Sequence, residues 1–183
     1  AGFIGSNLAQ HFVNKNIKVN IIVKKSSNLW RLKDIIKNLN IFYADIGDKD
    51  KIKKIIKKIK PKTIFHLATY GAYSDQNDLS KIKKSILDAT FNLLNEYKKY
   101  KFNIFINTGS SSEYGFKNKA MKETDVLIPN SYYSVFKSSS TLYCQYESFK
   151  SNLQIVTIRP FHVYGPLESN SRLIPTLIKN MIN

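Results

Sequence analysis

Short apolar runs alternate with helical patterns of apolar and polar positions from one end of the chain to the other. The apolar runs have the length of strands, are rich in β-branched residues, and lie at 18–23, 41–44, 63–68, 103–107 and 153–158. Patterns with helical periodicity lie at 6–13, 29–39, 48–60, 79–101 and 132–150. Near-continuous β-branched strands suit a parallel sheet that is covered on both faces. The pattern therefore predicts an α/β fold with a doubly wound parallel sheet of the Rossmann type.

Two glycines three residues apart open the first helix, in the sequence Gly2-Phe3-Ile4-Gly5. Missing β-carbons let a phosphate approach the backbone, and a helix N-terminus offers unpaired N–H groups and a partial positive charge. These four residues are therefore candidates for binding the pyrophosphate of a dinucleotide. A plain tight turn is the alternative.

No strand precedes this turn, although a dinucleotide fold of strand order 3-2-1-4-5-6 has its central strand there. We therefore expect that the first strand is missing from the sequence, which is truncated at its N-terminus. On this hypothesis the strands at 19–23 and 63–68 do not pair directly with each other. We also expect such a fragment to be unstable and inactive by itself, because unpaired backbone at the centre of a sheet is costly.

Lys24 ends the next strand and lies 19 residues after Gly5. An acidic residue near this position binds the ribose hydroxyls of NAD. Here the strand leads into Lys24-Lys25-Ser26, and cations with a hydroxyl suit the 2′-phosphate of NADP better. Surface lysines in a lysine-rich protein are the alternative, so the candidate cofactors are NADP and NAD.

Tyr133 and Lys137 form a Y-x-x-x-K pair, which places both side chains on one face of a helix. A tyrosine has an ordinary pKa near 10, and a nearby ammonium and a cationic nicotinamide favour its phenolate. With both, the tyrosine can act as an acid or a base near neutrality. The spacing is not specific, because Tyr97 and Lys101, and Tyr146 and Lys150, share it. We attribute those two pairs to composition and helical surface.

A serine cluster, Ser110-Ser111-Ser112, ends the strand before the helix of Tyr133. The carboxyl ends of strands are where an open α/β sheet binds its ligands. A hydroxyl there can hydrogen-bond a carbonyl or alkoxide oxygen and so complement the proton of the tyrosine. A serine-rich turn without a catalytic role is the alternative.

Together these motifs resemble those of the extended short-chain dehydrogenase/reductases, in particular the NAD(P)-dependent epimerase/dehydratase group that acts on nucleotide sugars. The resemblance runs from Ala1 to about Arg172. Its motifs, in chain order, are Gly2 to Gly5, Ala44-Asp45-Ile46, His66-Leu67-Ala68, Thr108 to Gly115, Tyr133 to Lys137, and Arg159 to Pro166.

The resemblance implies that Ser110 is the catalytic hydroxyl and that Tyr133 is the acid/base. Lys137 would bind the nicotinamide ribose and lower the pKa of the tyrosine. Ser111 and His162 would contact the substrate. The implied cofactor-binding residues are Gly2, Phe3, Ile4, Gly5, Lys24, Asp45, Ile46, Leu67, Ala68, Thr69, Tyr133, Lys137 and Phe161. The implied domains are an NAD(P)-binding Rossmann-like domain at 1–166 and the start of a truncated substrate-binding region at 167–183.

Two departures from the family's pattern bear on the reaction. His162 stands where many relatives have Asn. The 4,6-dehydratases look like Thr-Asp-Glu from the catalytic hydroxyl onward, whereas here serines follow Ser110 and Glu113 falls one place late. The resemblance therefore implies an NAD(P)-dependent nucleotide-sugar oxidoreductase or epimerase, with 4-keto reduction favoured over 4-epimerisation. A 4,6-dehydratase and a non-catalytic NAD(P)-binding module are the alternatives.

The formal charge of +16 invites a nucleic-acid function, because phosphate binding needs clustered Lys and Arg. Only three of the 29 basic residues are arginines, and the lysines of 48–60 lie opposite a helical stripe of Ile52, Ile55, Ile56 and Ile59. This pattern favours a solvated helix face over a nucleic-acid or membrane-surface helix. We therefore predict a nucleotide-sugar substrate, no nucleic-acid partner and no membrane partner.

Cysteine and histidine exclude two further classes of site. The single cysteine, Cys144, cannot form an internal disulfide, and a reducing compartment, the cytoplasm, is expected. His11, His66 and His162 show no metal-ligand spacing, so no metal site is predicted. His66, at a strand end, is expected to be packed rather than catalytic. For the full-length protein we expect a homodimer.

Overall fold

A computed structural model of the chain describes residues 1–73 and 75–182; Asn183, the last residue of the expected 167–183 region, lies outside the described residues. The strands are β1 Val19–Val23, β2 Leu39–Tyr43, β3 Thr63–His66, β4 Ile104–Thr108 and β5 Ile155–Ile158. The α-helices are α1 Phe3–Asn14, α2 Lys49–Ile59, α3 Leu79–Lys83, α4 Ala89–Tyr97, α5 Tyr132–Ser151 and α6 Leu173–Ile182.

The chain divides into two compact units. The first consists of Ala1–Tyr43 together with the chain from His162 onward, and the second is Ala44–Phe161. In the first unit β1 and β2 pair in parallel, with Val19 opposite Leu39. Buried Ala9, Leu32, Ile35 and Leu39 form a core cluster of that unit.

The second unit contains a parallel sheet of order β3-β4-β5, with Thr63 opposite Ile104 and Phe105 opposite Ile155. The expectation that a central strand precedes α1 stays a prediction. Parallel strands connected by helices confirm the Rossmann-like fold class. Phe105 in the central strand is fully buried and packs against the ring of Tyr97 at 6.1 Å between centroids.

Side-chain caps and left-handed residues set the ends of the helices. Asp48 accepts a hydrogen bond from the Lys51 amide at the start of α2, and Lys60, with φ of 46°, ends it. Ser131 caps α5 by accepting from the Ser134 amide. The isoleucine stripe of α2 faces inward as predicted, since Ile52 and Ile56 are almost completely buried.

The expected helix at 29–39 is wrong. The structure has two short 3₁₀ turns, Trp30–Leu32 and Ile36–Asn38, and Leu39 already belongs to β2. The apolar positions here recur about every three residues, a spacing that suits the tighter 3₁₀ turn, and they pack against Ala9 of α1.

Other predicted boundaries move by a few residues. The helix predicted at 79–101 ends at Tyr97 and contains a π-helical segment, Lys84–Asp88, between α3 and α4. The strand predicted at 63–68 ends at His66, which leaves Leu67, Ala68 and Thr69 in the loop that follows.

In the part of the chain that the structure describes, no helix combines the length and apolar character needed to cross a membrane.

Candidate active site

The carboxyl ends of β3 and β4 and the first turns of α5 bring the three predicted catalytic residues together in the second unit. Lys137 Nζ lies 5.7 Å from the centre of the Tyr133 ring. The side-chain hydroxyls of Ser110 and Thr69 lie close enough to the Tyr133 hydroxyl to lower its pKa in part. We call Ser110, Tyr133 and Lys137 the Ser-Tyr-Lys cluster.

Lys137 is 4% exposed, which is unusual for a lysine. Its Nζ donates a hydrogen bond of 2.6 Å to the carbonyl oxygen of Thr108, the last residue of β4. Burial lowers the pKa of Lys137 to about 8, and the negative charge of Glu113 opposes this shift. Lys137 is therefore still mostly an ammonium at neutral pH, with N–H groups beyond the one that Thr108 accepts.

Tyr133 lies partly buried one helical turn before Lys137. Burial raises the pKa of Tyr133, the hydroxyls of Ser110 and Thr69 lower it in part, and the charge of Glu113 raises it again. Without a bound cofactor, desolvation dominates and Tyr133 is a neutral phenol. The lowered pKa that the resemblance implies therefore stays a prediction for the cofactor-bound protein.

Ser110 is the N-cap of a short 3₁₀ turn, Ser111–Tyr114, which follows β4. Its Oγ accepts a hydrogen bond of 3.1 Å from the Ser112 amide, and its own amide donates to Glu113 Oε1 at 2.8 Å. Ser110 and Glu113 thus form a reciprocal capping box, which fixes the backbone at the serine.

Glu113 and Arg159 are site residues for which the sequence predicted no such role. Glu113 is completely buried, and its Oε2 accepts a hydrogen bond of 2.9 Å from Arg159 Nε. A β-carbon on Gly109 would collide with Glu113 Oε1, which explains the glycine at this position. The S-x-x-E spacing of Ser110 and Glu113 is a capping-box signal that could have identified Glu113. No local pattern identifies Arg159, which lies 46 residues further along the chain.

His66 is buried at the end of β3, as its sequence position predicts. Its Nε2 lies 3.1 Å from Thr90 Oγ1, and that hydroxyl donates its proton to the carbonyl oxygen of Ile86 at 2.6 Å. His66 is therefore the donor in its contact with Thr90, and its Nδ1 is a buried acceptor without a partner among the described residues. Burial, and secondarily the charge of Lys137, lower the pKa of His66 to about 3.

The other predicted cofactor and substrate residues lie in both units. In the first unit, Gly2 is the N-cap of α1 and makes no side-chain capping hydrogen bond, and Phe3, Ile4 and Gly5 form the first turn of that helix. Lys24 follows β1, and His162 is exposed. In the second unit, Asp45 and Ile46 follow β2, Leu67, Ala68 and Thr69 follow β3, Ser111 lies in the 3₁₀ turn, and the exposed Phe161 follows β5.

Two observations test whether these residues fit a dinucleotide. The space beside Gly2 is open, since a β-carbon there would have no atom within 4 Å, and the first turn of α1 carries no side-chain cap. In the second unit, Lys137 uses one N–H group on Thr108 and can donate others. The turn at Gly2 in the first unit thus fits the chemistry of a phosphate. Lys137 in the second unit fits the chemistry of a ribose hydroxyl.

The chain is similar to known proteins along its whole length. The model of a family described as "NAD dependent epimerase/dehydratase family" matches residues 1–183. A dTDP-D-glucose 4,6-dehydratase of Dictyostelium discoideum is 31% identical over 204 residues, covering 100% of this chain and 46% of the relative. The chain therefore spans about half the length of that relative.

Solved structures share the fold over nearly the whole chain. A UDP-N-acetylglucosamine 4-epimerase from Methanobrevibacter ruminantium M1, in complex with UDP-N-acetylmuramic acid, superposes with a TM-score of 0.86 at 28% identity. A UDP-glucuronic acid 4-epimerase from Bacillus cereus, in complex with NAD, superposes with a TM-score of 0.82 at 27% identity. Both matches cover 99% of this chain and 60% of the solved chain.

Proposed function

This chain belongs to the NAD-dependent epimerase/dehydratase family, as its motifs predict, and we propose that the whole protein is an NAD(P)-dependent oxidoreductase or epimerase of nucleotide sugars. The observation that carries the proposal is the Ser-Tyr-Lys cluster, in which a buried ammonium lies over a tyrosine ring, 5.7 Å from its centre, and a serine hydroxyl lies near the phenol. The epimerases with the same fold, one bound to a UDP-sugar and one to NAD, support the substrate class and the cofactor.

Each residue of the cluster has a separate role in this proposal. Lys137 binds the nicotinamide ribose through the N–H groups that Thr108 leaves available, and its charge favours the phenolate of Tyr133. Tyr133 moves the proton on the oxygen of the reacting sugar carbon, and Ser110 donates a hydrogen bond to that oxygen. The bound nicotinamide supplies the hydride acceptor or donor.

The contacts of Glu113 favour a reductase or epimerase over a dehydratase. Elimination of water needs an acid and a base that reach the substrate. Glu113 is completely buried with both oxygens engaged, by the Ser110 amide and by Arg159, and the two residues after Ser110 are serines. The 4,6-dehydratase remains the second candidate, because a relative 31% identical to this chain carries that name.

The retained nucleotide distinguishes the remaining reactions. We expect the whole protein, denatured as purified, to release either near-stoichiometric NAD or no dinucleotide, as measured by mass spectrometry. Retained NAD indicates a cofactor regenerated within each cycle, hence an epimerase or, despite the serines after Ser110, a 4,6-dehydratase. An empty protein that binds NADPH more tightly than NADH indicates a 4-keto reductase, with Lys24 on the 2′-phosphate, and Lys24→Glu then reverses the preference.

A direct assay tests the proposed function. The whole protein, incubated with UDP- and dTDP-hexoses, their 4-keto derivatives and each dinucleotide, is expected to convert one sugar, as followed by NMR of the sugar protons. A protein that binds neither dinucleotide and converts none of these sugars would contradict the proposal. A cytoplasmic homodimer is part of the same proposal and is tested by fractionation and by light scattering.

A further inference from the structure

Glu113 makes two hydrogen bonds to the backbone of Ser110, one through its side chain and one through its own amide. The Ser110 amide donates to Glu113 Oε1 at 2.8 Å, and the Glu113 amide donates to the Ser110 carbonyl oxygen at 3.1 Å. The second carboxylate oxygen, Oε2, accepts from Arg159 Nε at 2.9 Å. A carboxylate with two acceptor oxygens can satisfy both N–H donors at once, whereas an amide side chain offers only one acceptor oxygen.

Arg159 is itself held in place. Its Nη1 donates to the Tyr114 hydroxyl at 3.0 Å, and its side chain is 10% exposed. Backbone hydrogen bonds from Gly109 to Ile158 and from Ser111 to Pro160, of 2.8 and 3.1 Å, tie the same loop to the end of β5. The buried pair therefore connects a rigid strand end to the turn that carries Ser110.

We propose, on the basis of the proposed function, that Glu113 and Arg159 are positioning residues for the catalytic Ser110. The carboxylate fixes the Ser110 backbone so that its Oγ faces the Tyr133 hydroxyl, and the guanidinium fixes the carboxylate. Neither side chain touches the substrate. Precise placement matters because a displacement of about 1 Å at a reacting group can cost on the order of 10²-fold in rate.

The pair also sets the charge around the cluster. Among the described residues, the side chains that shift the pKa of Tyr133 or Lys137, or feel the charge of Lys137, are His66 at the end of β3, Thr69 in the loop that follows, and Ser110 and Glu113 after β4. The negative charge of Glu113 raises the pKa of both Tyr133 and Lys137. Replacing Glu113 and Arg159 together removes one charge of each sign and so leaves the net charge of the site unchanged.

The test is a double variant of the whole protein, Glu113→Leu with Arg159→Met. Replacing a buried ion pair by apolar residues of similar size often preserves folding, whereas removing one partner leaves a buried charge unpaired. Lys98 and Glu147 provide the matched control, Glu147→Leu with Lys98→Met. They form an ion pair of 2.9 Å in the same unit, and Glu147 is buried as well.

We expect kcat of the Glu113/Arg159 variant to fall about 10²-fold, with the KM for cofactor nearly unchanged, while the control retains wild-type kcat. Thermal denaturation verifies that both variants are folded. A purely structural role for the pair predicts instead a folded variant with the kcat of the control, and that result would overturn the proposal. Should the double variant not fold, Glu113→Gln takes its place, with a smaller expected loss of kcat and Glu147→Gln as its control.

Hydrogen exchange of the Ser110 amide, measured by NMR without substrate, gives a readout that does not need activity. We expect exchange at Ser110 to accelerate about tenfold or more in the Glu113/Arg159 variant and to stay unchanged in the control. Unchanged exchange would overturn the positioning role even if kcat fell. Full turnover by Tyr133→Phe would contradict the proposed function instead, and the exchange rate of Ser110 would still decide the positioning role.

Discussion

Helix α5 carries two Y-x-x-x-K pairs that share their spacing and a similar ring contact but differ in their surroundings. In both pairs the lysine Nζ lies over the tyrosine ring, at 5.7 Å for Lys137 over Tyr133 and 5.3 Å for Lys150 over Tyr146. Lys137 is 4% exposed and bonded to the carboxyl end of β4. Tyr146 is 54% exposed, and Lys150 is exposed as well.

The spacing within a pair and the surroundings of that pair in the fold have different consequences. A spacing of four residues puts two side chains on one face of any helix. Burial at the end of a parallel strand adds a desolvated ammonium, neighbouring hydroxyls and a fixed carboxylate, and these shift the acid–base properties of the pair. The first pair has these neighbours, so we expect chemistry only there.

Tyr133→Phe and Tyr146→Phe give the largest contrast. We expect Tyr133→Phe to lower kcat of the whole protein by a factor on the order of 10²–10⁴, because the proton donor and acceptor is lost. Dinucleotide binding should persist, since Lys137 is intact, and Tyr146→Phe should match the wild type. Steady-state kinetics and a cofactor titration measure both. Equal losses in the two variants would remove the distinction between the pairs.

The pH dependence of kcat/KM tests the ammonium of Lys137. Burial lowers the pKa of Lys137 to about 8, so its positive charge is lost above that pH. We expect kcat/KM to fall about tenfold per pH unit above pH 8, and Lys150→Met to leave this limb in place.

Unfolding does not explain such a loss. The folded-state pKa of Lys137 lies below its ordinary value of 10.5, so this group makes the protein more stable, not less, as pH rises from 8 to 10.5. Denaturation at pH 7 and 9 provides the control. A flat profile up to pH 9.5 would mean that the charge of Lys137 is not needed.

Local signals in the sequence predicted the Tyr133–Lys137 pair and the strands of the sheet beside it. Apolar runs marked the five strands to within a few residues, because strand length and β-branched composition are local properties. The serine cluster after β4 and the helix of Tyr133 were likewise predicted, and the structure brings Ser110, Tyr133 and Lys137 together.

Contacts between distant segments could not be predicted in this way. Glu113 and Arg159 lie 46 residues apart and meet only because β4 and β5 are neighbours. The desolvation of Lys137 depends on the packing of α5 against the sheet. The sequence predicts a helix where the structure has two 3₁₀ turns after β1, because an apolar repeat of three residues differs little from one of 3.6 residues.

His66 provides a smaller effect, on stability. Burial lowers its pKa to about 3 from an ordinary 6.5, so the unfolded chain binds a proton that the folded protein does not bind between these values. Stability from this group is fully present above pH 6.5 and is lost as pH falls, by about 2 kcal/mol between pH 7 and pH 5. Urea denaturation of wild type and His66→Gln at both pH values isolates the contribution. The same loss in both proteins would exclude His66 as its source.

The Tyr146–Lys150 pair gives the smallest expected effect, a small change in the free energy of unfolding. An exposed cation over an aromatic ring contributes roughly 0.5–1 kcal/mol, so Lys150→Met should lower the free energy of unfolding by about 0.5 kcal/mol. Tyr146→Ala should remove the same interaction, and the double-mutant cycle should give a coupling of about 0.5 kcal/mol. None of these variants should change kcat, because nothing in this pair resembles the buried surroundings of Lys137. A coupling above about 2 kcal/mol, or a loss of turnover, would mean that the Tyr146–Lys150 pair is important for stability or activity although it is exposed to solvent. The contrast between the two pairs would then fail.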